Sequence, residues 1–259
     1  MDILRNYLHE LKTRYYQAFT NCCVPIVMER PIISLTFDDV PVSALVNGVP
    51  ILNRYNYKST FYVATGLSDI ENHSHNPTER IYLNPVDILE LHNNGHDIAC
   101  HTYSHYSLLS GTPEELEQDA IINTKRLSSI LQSLPVEHFS YPYGQVSFKA
   151  KKLLSRHYKT MRSSRPGINT NTSDLYLLRA ESIYNPTFSK KHIQQLIKST
   201  ERDGGWLIFY THGVTGDPDA YSCTPEQFEW VTNQCRNSSA WILPISDAYQ
   251  HVISACSLP

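Results

Sequence analysis

From Pro31 onward, short runs of β-branched and aromatic residues alternate with stretches of helical period, the pattern of parallel strands joined by crossover helices. Ile32–Phe37, Ser59–Val63, Asp97–Cys100, Phe139–Tyr141, Lys159–Arg162, Leu177–Ile183, Trp206–Tyr210 and Trp241–Leu243 read as the strands. Helix starts are marked by cap residues: Asn84-Pro85, Thr112-Pro113 with Glu115 in the capping-box position, Ser189, and Thr224-Pro225. Gly95 supplies a helix stop. Leu116, Ala120, Thr124, Leu127 and Leu131 fall on one face of a long helix that can lie against a sheet or barrel. Ahead of these elements, Met1 to about Asn21 reads as an amphipathic helix, with Ile3, Leu4, Tyr7, Leu8, Leu11, Tyr15 and Phe19 near helical spacing. The expected architecture is α/β: a barrel of seven or eight parallel strands in a single domain over residues 1–259, with residues 1–30 as an N-terminal helical extension.

Composition narrows the function classes. The chain has 259 residues, 41% of them hydrophobic, enough to bury a substantial core. Its 22 Lys+Arg and 25 Asp+Glu are interspersed and leave a net charge of −3, without the basic patch that nucleic-acid binding needs. Six cysteines with no C-x-x-C spacing read as reduced thiols rather than a zinc ribbon or disulfide scaffold. No run of about 20 apolar residues spans a bilayer, and the charged first 19 residues lack the form of a secretory signal. A cytoplasmic protein is expected, and its oligomeric state is left open.

Four segments carry chemistry-bearing residues at the ends of expected strands. Asp38-Asp39 closes the first, just before Pro41. His101-Thr102-Tyr103-Ser104-His105 follows the third; if the chain turns helically there, both imidazoles share a face, and two histidines with one carboxylate make a catalytic zinc set. His92 and His96 are also four apart, but Asn94-Gly95 ends the helix between them. Tyr141-Pro142-Tyr143-Gly144 bends sharply, and because proline has no donor, the Tyr143 amide is the natural donor to an oxyanion. His212 ends the buried run Trp206–Thr211. Taken singly these are a solvated acidic turn, a chance histidine pair, an aromatic turn and a core histidine. Together they stand at the C-terminal ends of parallel strands, where barrel enzymes gather catalytic groups.

The ordered set Thr36-Phe37-Asp38-Asp39, His101-Thr102-Tyr103-Ser104-His105, Tyr141-Pro142-Tyr143-Gly144 and strand-borne His212 resembles the polysaccharide deacetylase family. The resemblance implies a distorted (β/α) barrel that hydrolyses an N-acetyl, sometimes O-acetyl, group on a carbohydrate. Carried over by position, Asp39, His101 and His105 would bind a divalent metal, most often zinc, with Asp38 as general base and His212 as general acid. Tyr143 would supply the oxyanion N–H, and Thr102 would orient its neighbours. Many relatives place an arginine before the proline turn, against the catalytic aspartate; here Ser140 and Tyr141 precede Pro142, and Arg162 or Arg179 on later strands are the candidates to replace it. No aspartate-tryptophan pair of the kind that orients the acid histidine is evident. The expected substrate is a carbohydrate intermediate of cell-surface polysaccharide synthesis, of lipopolysaccharide or O-antigen type; the alternatives are an amidase or deformylase on another small amide, and a non-catalytic carbohydrate-binding barrel. Segment Ser68–Arg80, with His73 and His75, reads as a substrate lip or a solvated loop. Arg162–Asn169 reads as a contact for sugar hydroxyls or phosphates, or as a surface loop.

Overall fold

The computed structural model describes residues 22–71 and 81–256. The helix expected over residues 1–21, and the 72–80 part of the expected lip with His73 and His75, lie outside the described residues. The strands are β1 (Cys23–Ile26), β2 (Ile32–Asp39), β3 (Thr60–Val63), β4 (Asp97–Cys100), β5 (His138–Ser140), β6 (Thr160–Arg162), β7 (Asn171–Asp174), β8 (Glu181–Ser182), β9 (Trp206–Thr211) and β10 (Trp241–Ile242). The helices are α1 (Val49–Asn53), α2 (Thr65–Glu71), α3 (Pro85–Asn93), α4 (Pro113–Ile130), α5 (Phe148–Leu154), α6 (Lys190–Asp203), α7 (Pro225–Arg236) and α8 (Ile245–Cys256).

Eight strands make one wholly parallel sheet in the order β6-β5-β4-β3-β2-β9-β8, with β10 beside the N-terminal half of β2. The sheet curls into a distorted (β/α) barrel. Its seam between β6 and β8 carries an isolated parallel bridge, Arg162 with Leu178, through Leu178 N–H to Met161 O (2.9 Å) and Ser163 N–H to Leu178 O (2.9 Å), and Ala180 N–H adds a bond to Arg165 O (2.9 Å). The strand expected over Leu177–Ile183 shrinks to Glu181–Ser182, because Asp174 caps a 3-10 turn over Leu175–Leu177 by accepting from Tyr176 N–H (3.0 Å). The antiparallel ribbon β1-β7 was not expected. Its sequences Cys-Val-Pro-Ile and Asn-Thr-Ser-Asp have no apolar alternation to reveal them, and Pro25 is tolerated in an edge ribbon.

Side chains alternate faces along a strand. On β2, Ile33, Leu35 and Phe37 point outward, with Phe61, Ile98, Leu207 and Phe209 of neighbouring strands, into the apolar layer under Leu116, Ala120, Leu127, Phe228 and Val231 of the helices. The other parity faces the barrel interior: Ile32, Tyr62, Ala99, Trp206, Ile208 and Tyr210 form a second cluster, and Trp206 donates its indole N–H to Ser34 (2.9 Å). α8 closes the N-terminal end of the barrel. Its first residues donate to Thr60 (Ile245 N–H, 2.8 Å) and Asp97 (Ser246 N–H, 3.2 Å), and its Ile245, Ala248 and Val252 join the interior cluster.

The helix caps form as their sequences direct. Asn84 with Asp87, Thr112 with Glu115 and Thr224 with Gln227 each close a capping box. Ser189 caps α6, and Gly95 adopts φ 83° past α3.

Two buried histidines sit at the N-terminal ends of strands, His96 just before β4 and His138 at the start of β5. Burial pushes both down to about 4, with Lys58 adding to it at His96, and with Glu137 opposing it and Lys159 adding to it at His138. A histidine whose folded pKa lies below its unfolded value of about 6.5 stabilises the fold fully above that value and loses the contribution as pH falls toward about 4. The urea midpoint is therefore expected to drop between pH 6.5 and 5, and His138→Gln should flatten the drop; an unchanged midpoint over that window would contradict the assignment.

Candidate active site

The inward parity that carries apolar residues deep in the barrel carries polar ones at its C-terminal end. Asp38 on β2, Ser140 on β5, Arg162 on β6 and Tyr210 on β9 occupy this layer, with Tyr62 paired to Asp38 and Arg162 paired to Ser140 in the strand register. His101 follows β4, its N–H continuing the ladder to Val63 O (3.1 Å). A cavity of 630 Å³ opens here, lined by Asp38, Asp39, His101, His105, Arg162 and His212 among others.

Backbone strain is concentrated at the same place. Asp39 (φ 58°), Val40 (63°), Thr102 (63°), His105 (53°) and Tyr143 (57°) all hold left-handed conformations that L residues avoid. Val40, being β-branched, is an outlier that a packed environment must enforce. Such strain gathers at functional sites, where side chains must point in directions regular structure does not offer. At Asp39 the left-handed turn directs the carboxylate toward the two histidines.

Asp39 Oδ1 lies 3.3 Å from Nε2 of His101 and 3.3 Å from Nε2 of His105, while His212 Nε2 stands 3.6 Å from Asp39 Oδ2. Oδ1 is buried and, among the described residues, has no hydrogen-bond donor. The ligand atoms of Asp39, His101 and His105 all fall within 4.8 Å of one another. His101 donates Nδ1–H to Ser140 O (2.8 Å), which leaves its Nε2 lone pair facing the cluster. An orphaned carboxylate oxygen and two imidazoles aimed at one point fit a divalent cation. Burial alone would raise the Asp39 carboxyl, but the surrounding imidazoles, His101 aimed at it first and then His105 and His212, outweigh burial and hold it well below the usual range. Burial, then His101, pushes His105 down to about 4, keeping it neutral and able to ligate.

Asp38, beside this cluster, is gripped by Arg162. Nη2 of Arg162 reaches both Asp38 oxygens and donates to Ser140 Oγ (2.5 Å), and Nη1 donates to Ser163 O (3.2 Å). The guanidinium is buried between the rings of Tyr62 (5.0 Å) and Tyr210 (4.6 Å). Arg162 thus stands where the sequence lacked an arginine. Arg179 does not: it falls outside any strand, between the Leu175–Leu177 turn and β8, and its Nη1 donates to Pro166 O (2.9 Å). Arg162 is also not available to an external phosphate, being buried against Asp38.

His212 is oriented by a backbone group. Its Nδ1–H donates to Tyr221 O (3.1 Å), turning Nε2 toward Asp39 and the cavity. No side-chain motif announces such a partner. Tyr143 lies in the Pro142–Gly144 turn with its ring against His105 (centroids 4.2 Å apart). Its backbone N–H has no partner among the described residues outside the turn itself. The turn needs glycine at 144, where φ is 64° and a Cβ would fall 1.8 Å from Ser164 Oγ. Tyr141 points its side chain into the outer layer, its hydroxyl 3.3 Å from Tyr176 O, and Pro142 is buried beside it. Thr102 is buried, and its Oγ1 accepts from Tyr106 N–H (2.9 Å).

The fold and this cluster define a (β/α) barrel with a carboxylate-and-imidazole centre at the C-terminal ends of its strands. The sequence profile described as polysaccharide deacetylase matches residues 27–161, and the chain belongs to that family. YxkH of Bacillus subtilis (strain 168), whose name carries the same family description, is 24% identical over 145 residues, 56% of this chain and 48% of YxkH. The matched region thus spans about half the length of that curated relative. Among solved structures, a Mycobacterium smegmatis protein of the same description has a TM-score of 0.63 at 16% identity, covering 93% of this chain and 97% of that one. A family 4 acetyl xylan esterase from Clostridium thermocellum, solved with a cobalt ion, has a TM-score of 0.54 at 18% identity, covering 85% and 90%.

Proposed function

We propose that this chain is a metal-dependent hydrolase that removes an N-acetyl group from a carbohydrate, with zinc held by Asp39, His101 and His105. The observation that carries the reading is the buried, donor-less Asp39 Oδ1 facing two imidazole nitrogens, with Asp38 on one side and His212 on the other. A divalent ion bound there supplies Lewis acidity, lowering the pKa of water from about 15.7 toward about 7 and polarising the acyl oxygen.

Asp38 takes the proton of the attacking water as general base. Asp38 is 5% exposed and borders the cavity, and Arg162 fixes the direction of its carboxylate, so the base is presented in one orientation. The Tyr143 N–H, projecting from a left-handed turn, donates to the oxygen on which negative charge develops. His212, entering the step protonated, donates its Nε2 proton to the departing amine while Asp38 keeps the proton taken from water, and its ring is held by the Tyr221 carbonyl.

The test is acetate release from free, nucleotide-linked and oligomeric N-acetyl sugars and from an O-acetylated glycan, which also asks whether the substrate is a cell-surface polysaccharide intermediate. Release from an N-acetyl sugar is expected. Asp38→Asn and His212→Ala should keep their metal yet lose on the order of 10²–10⁴-fold in kcat, the range for a positioned acid or base. Formate release in place of acetate, or binding without turnover by zinc-loaded protein, would overturn the reading in favour of a deformylase or a binding barrel.

A further inference from the structure

The loop from His101 to His105 carries two of the three candidate ligands, and two of its residues, Thr102 and His105, hold left-handed conformations. A free pentapeptide would not keep that shape. The carboxylate of Asp119, in the second turn of α4, grips the middle of the loop. Its Oδ2 accepts from the N–H of Tyr103 (2.7 Å) and of Ser104 (2.9 Å), and its Oδ1 accepts from the Ser104 hydroxyl (3.0 Å). A second anchor on the same residue comes from α2, where Gly66 donates its N–H to Tyr103 O (2.8 Å). A Cβ on residue 66 would lie 2.4 Å from that oxygen, so no other residue lets α2 come this close. The Tyr103 hydroxyl donates to Asp69 (2.9 Å), which Arg126 of α4 holds at 2.5 and 2.6 Å. One turn beyond Asp119, Asn123 ties α4 to the strand ends themselves. It accepts from Thr65 N–H (3.1 Å) and donates to Val63 O (2.7 Å).

We propose that Asp119 and Gly66 are positioning residues that set the spacing of His101 and His105 for the metal. The inference rests on the proposed metal reading of those histidines. Neither residue is itself one of the candidate ligands, so any effect on metal affinity must pass through the loop. Preorganisation of this kind is worth roughly 10–100-fold in metal affinity.

The experiment is zinc affinity, measured on the full chain by competition with a chromogenic chelator, alongside the melting temperature of each metal-free protein. Asp119→Ala and Gly66→Ala, acting from two different helices on the same loop, are expected to weaken zinc binding roughly 10–100-fold. Asp119→Asn and Ser104→Ala should weaken it less, since the first keeps an acceptor for the two N–H groups and the second removes one contact of three. Ser189→Ala, which removes the cap of α6 at a distance from the loop, should lower the melting temperature and leave zinc affinity unchanged, separating loss of fold from loss of positioning. Wild-type affinity in Asp119→Ala, Gly66→Ala and Ser104→Ala would overturn this inference alone. A wild-type chain with no zinc affinity would overturn the metal reading and this inference with it.

Discussion

Asp39→Ala is expected to empty the metal site and take turnover with it. The carboxylate is the single anionic member of the cluster, and its Oδ1 is equidistant, at 3.3 Å, from the two imidazole nitrogens aimed at the same point. Without it, two neutral histidines remain, and the charge that draws a divalent cation is gone. The loss should exceed the roughly 10–100-fold that removal of an outer-shell partner costs. His101→Ala and His105→Ala should behave alike, read as metal content after dialysis against a zinc buffer. Metal retained in Asp39→Ala but lost in Asp38→Asn would exchange the roles of the two adjacent carboxylates.

The second large effect is on the fold as well as the chemistry. Arg162→Met leaves Asp38 as a buried carboxylate with its cation removed, while Ser140 Oγ and the faces of Tyr62 and Tyr210 lose the group they enclosed. Breaking one side of a buried ion pair costs about 3–5 kcal/mol, which in a chain of this size lowers the melting temperature by roughly 6–20 °C. Adding Asp38→Asn should recover part of that loss, because the uncompensated charge goes too. Arg162→Lys is no rescue, since a point-charge ammonium cannot hold Asp38 and Ser140 through one nitrogen and the Ser163 carbonyl through another while a planar group stacks between two rings. Additive losses in the double variant would show that the two side chains do not act as a pair.

How far the sequence reveals this site depends on how local each signal is. The caps at Asn84, Thr112, Ser189 and Thr224 are legible because donor and acceptor lie within three residues of each other. The strands of the barrel are legible because apolar runs of this length have few alternatives; Asp38, Asp39, His101 and His212 follow because they sit directly at strand ends, and His105 by its four-residue spacing from His101. The choice between Arg162 and Arg179 is different in kind. It needs the register that sets Arg162 opposite Ser140, and the knowledge that the stretch around Leu177 turns instead of extending. Inward parity with Thr160 was a usable hint for Arg162. The partner of His212 is a carbonyl, and carbonyls have no residue type to recognise. Asp119 is invisible for a related reason: nothing in a helix sequence says which loop its carboxylate will reach. The β1-β7 ribbon lacks alternation and depends wholly on tertiary placement.

The most direct test of the central claim is acetate release from an N-acetyl glycan by the purified chain, first stripped with a chelator and then titrated with zinc, with Asp38→Asn carried in parallel. Activity that vanishes on stripping, returns in step with one equivalent of zinc, and stays absent in zinc-loaded Asp38→Asn is the predicted result. Release unaffected by stripping, or equal release by Asp38→Asn, would contradict it.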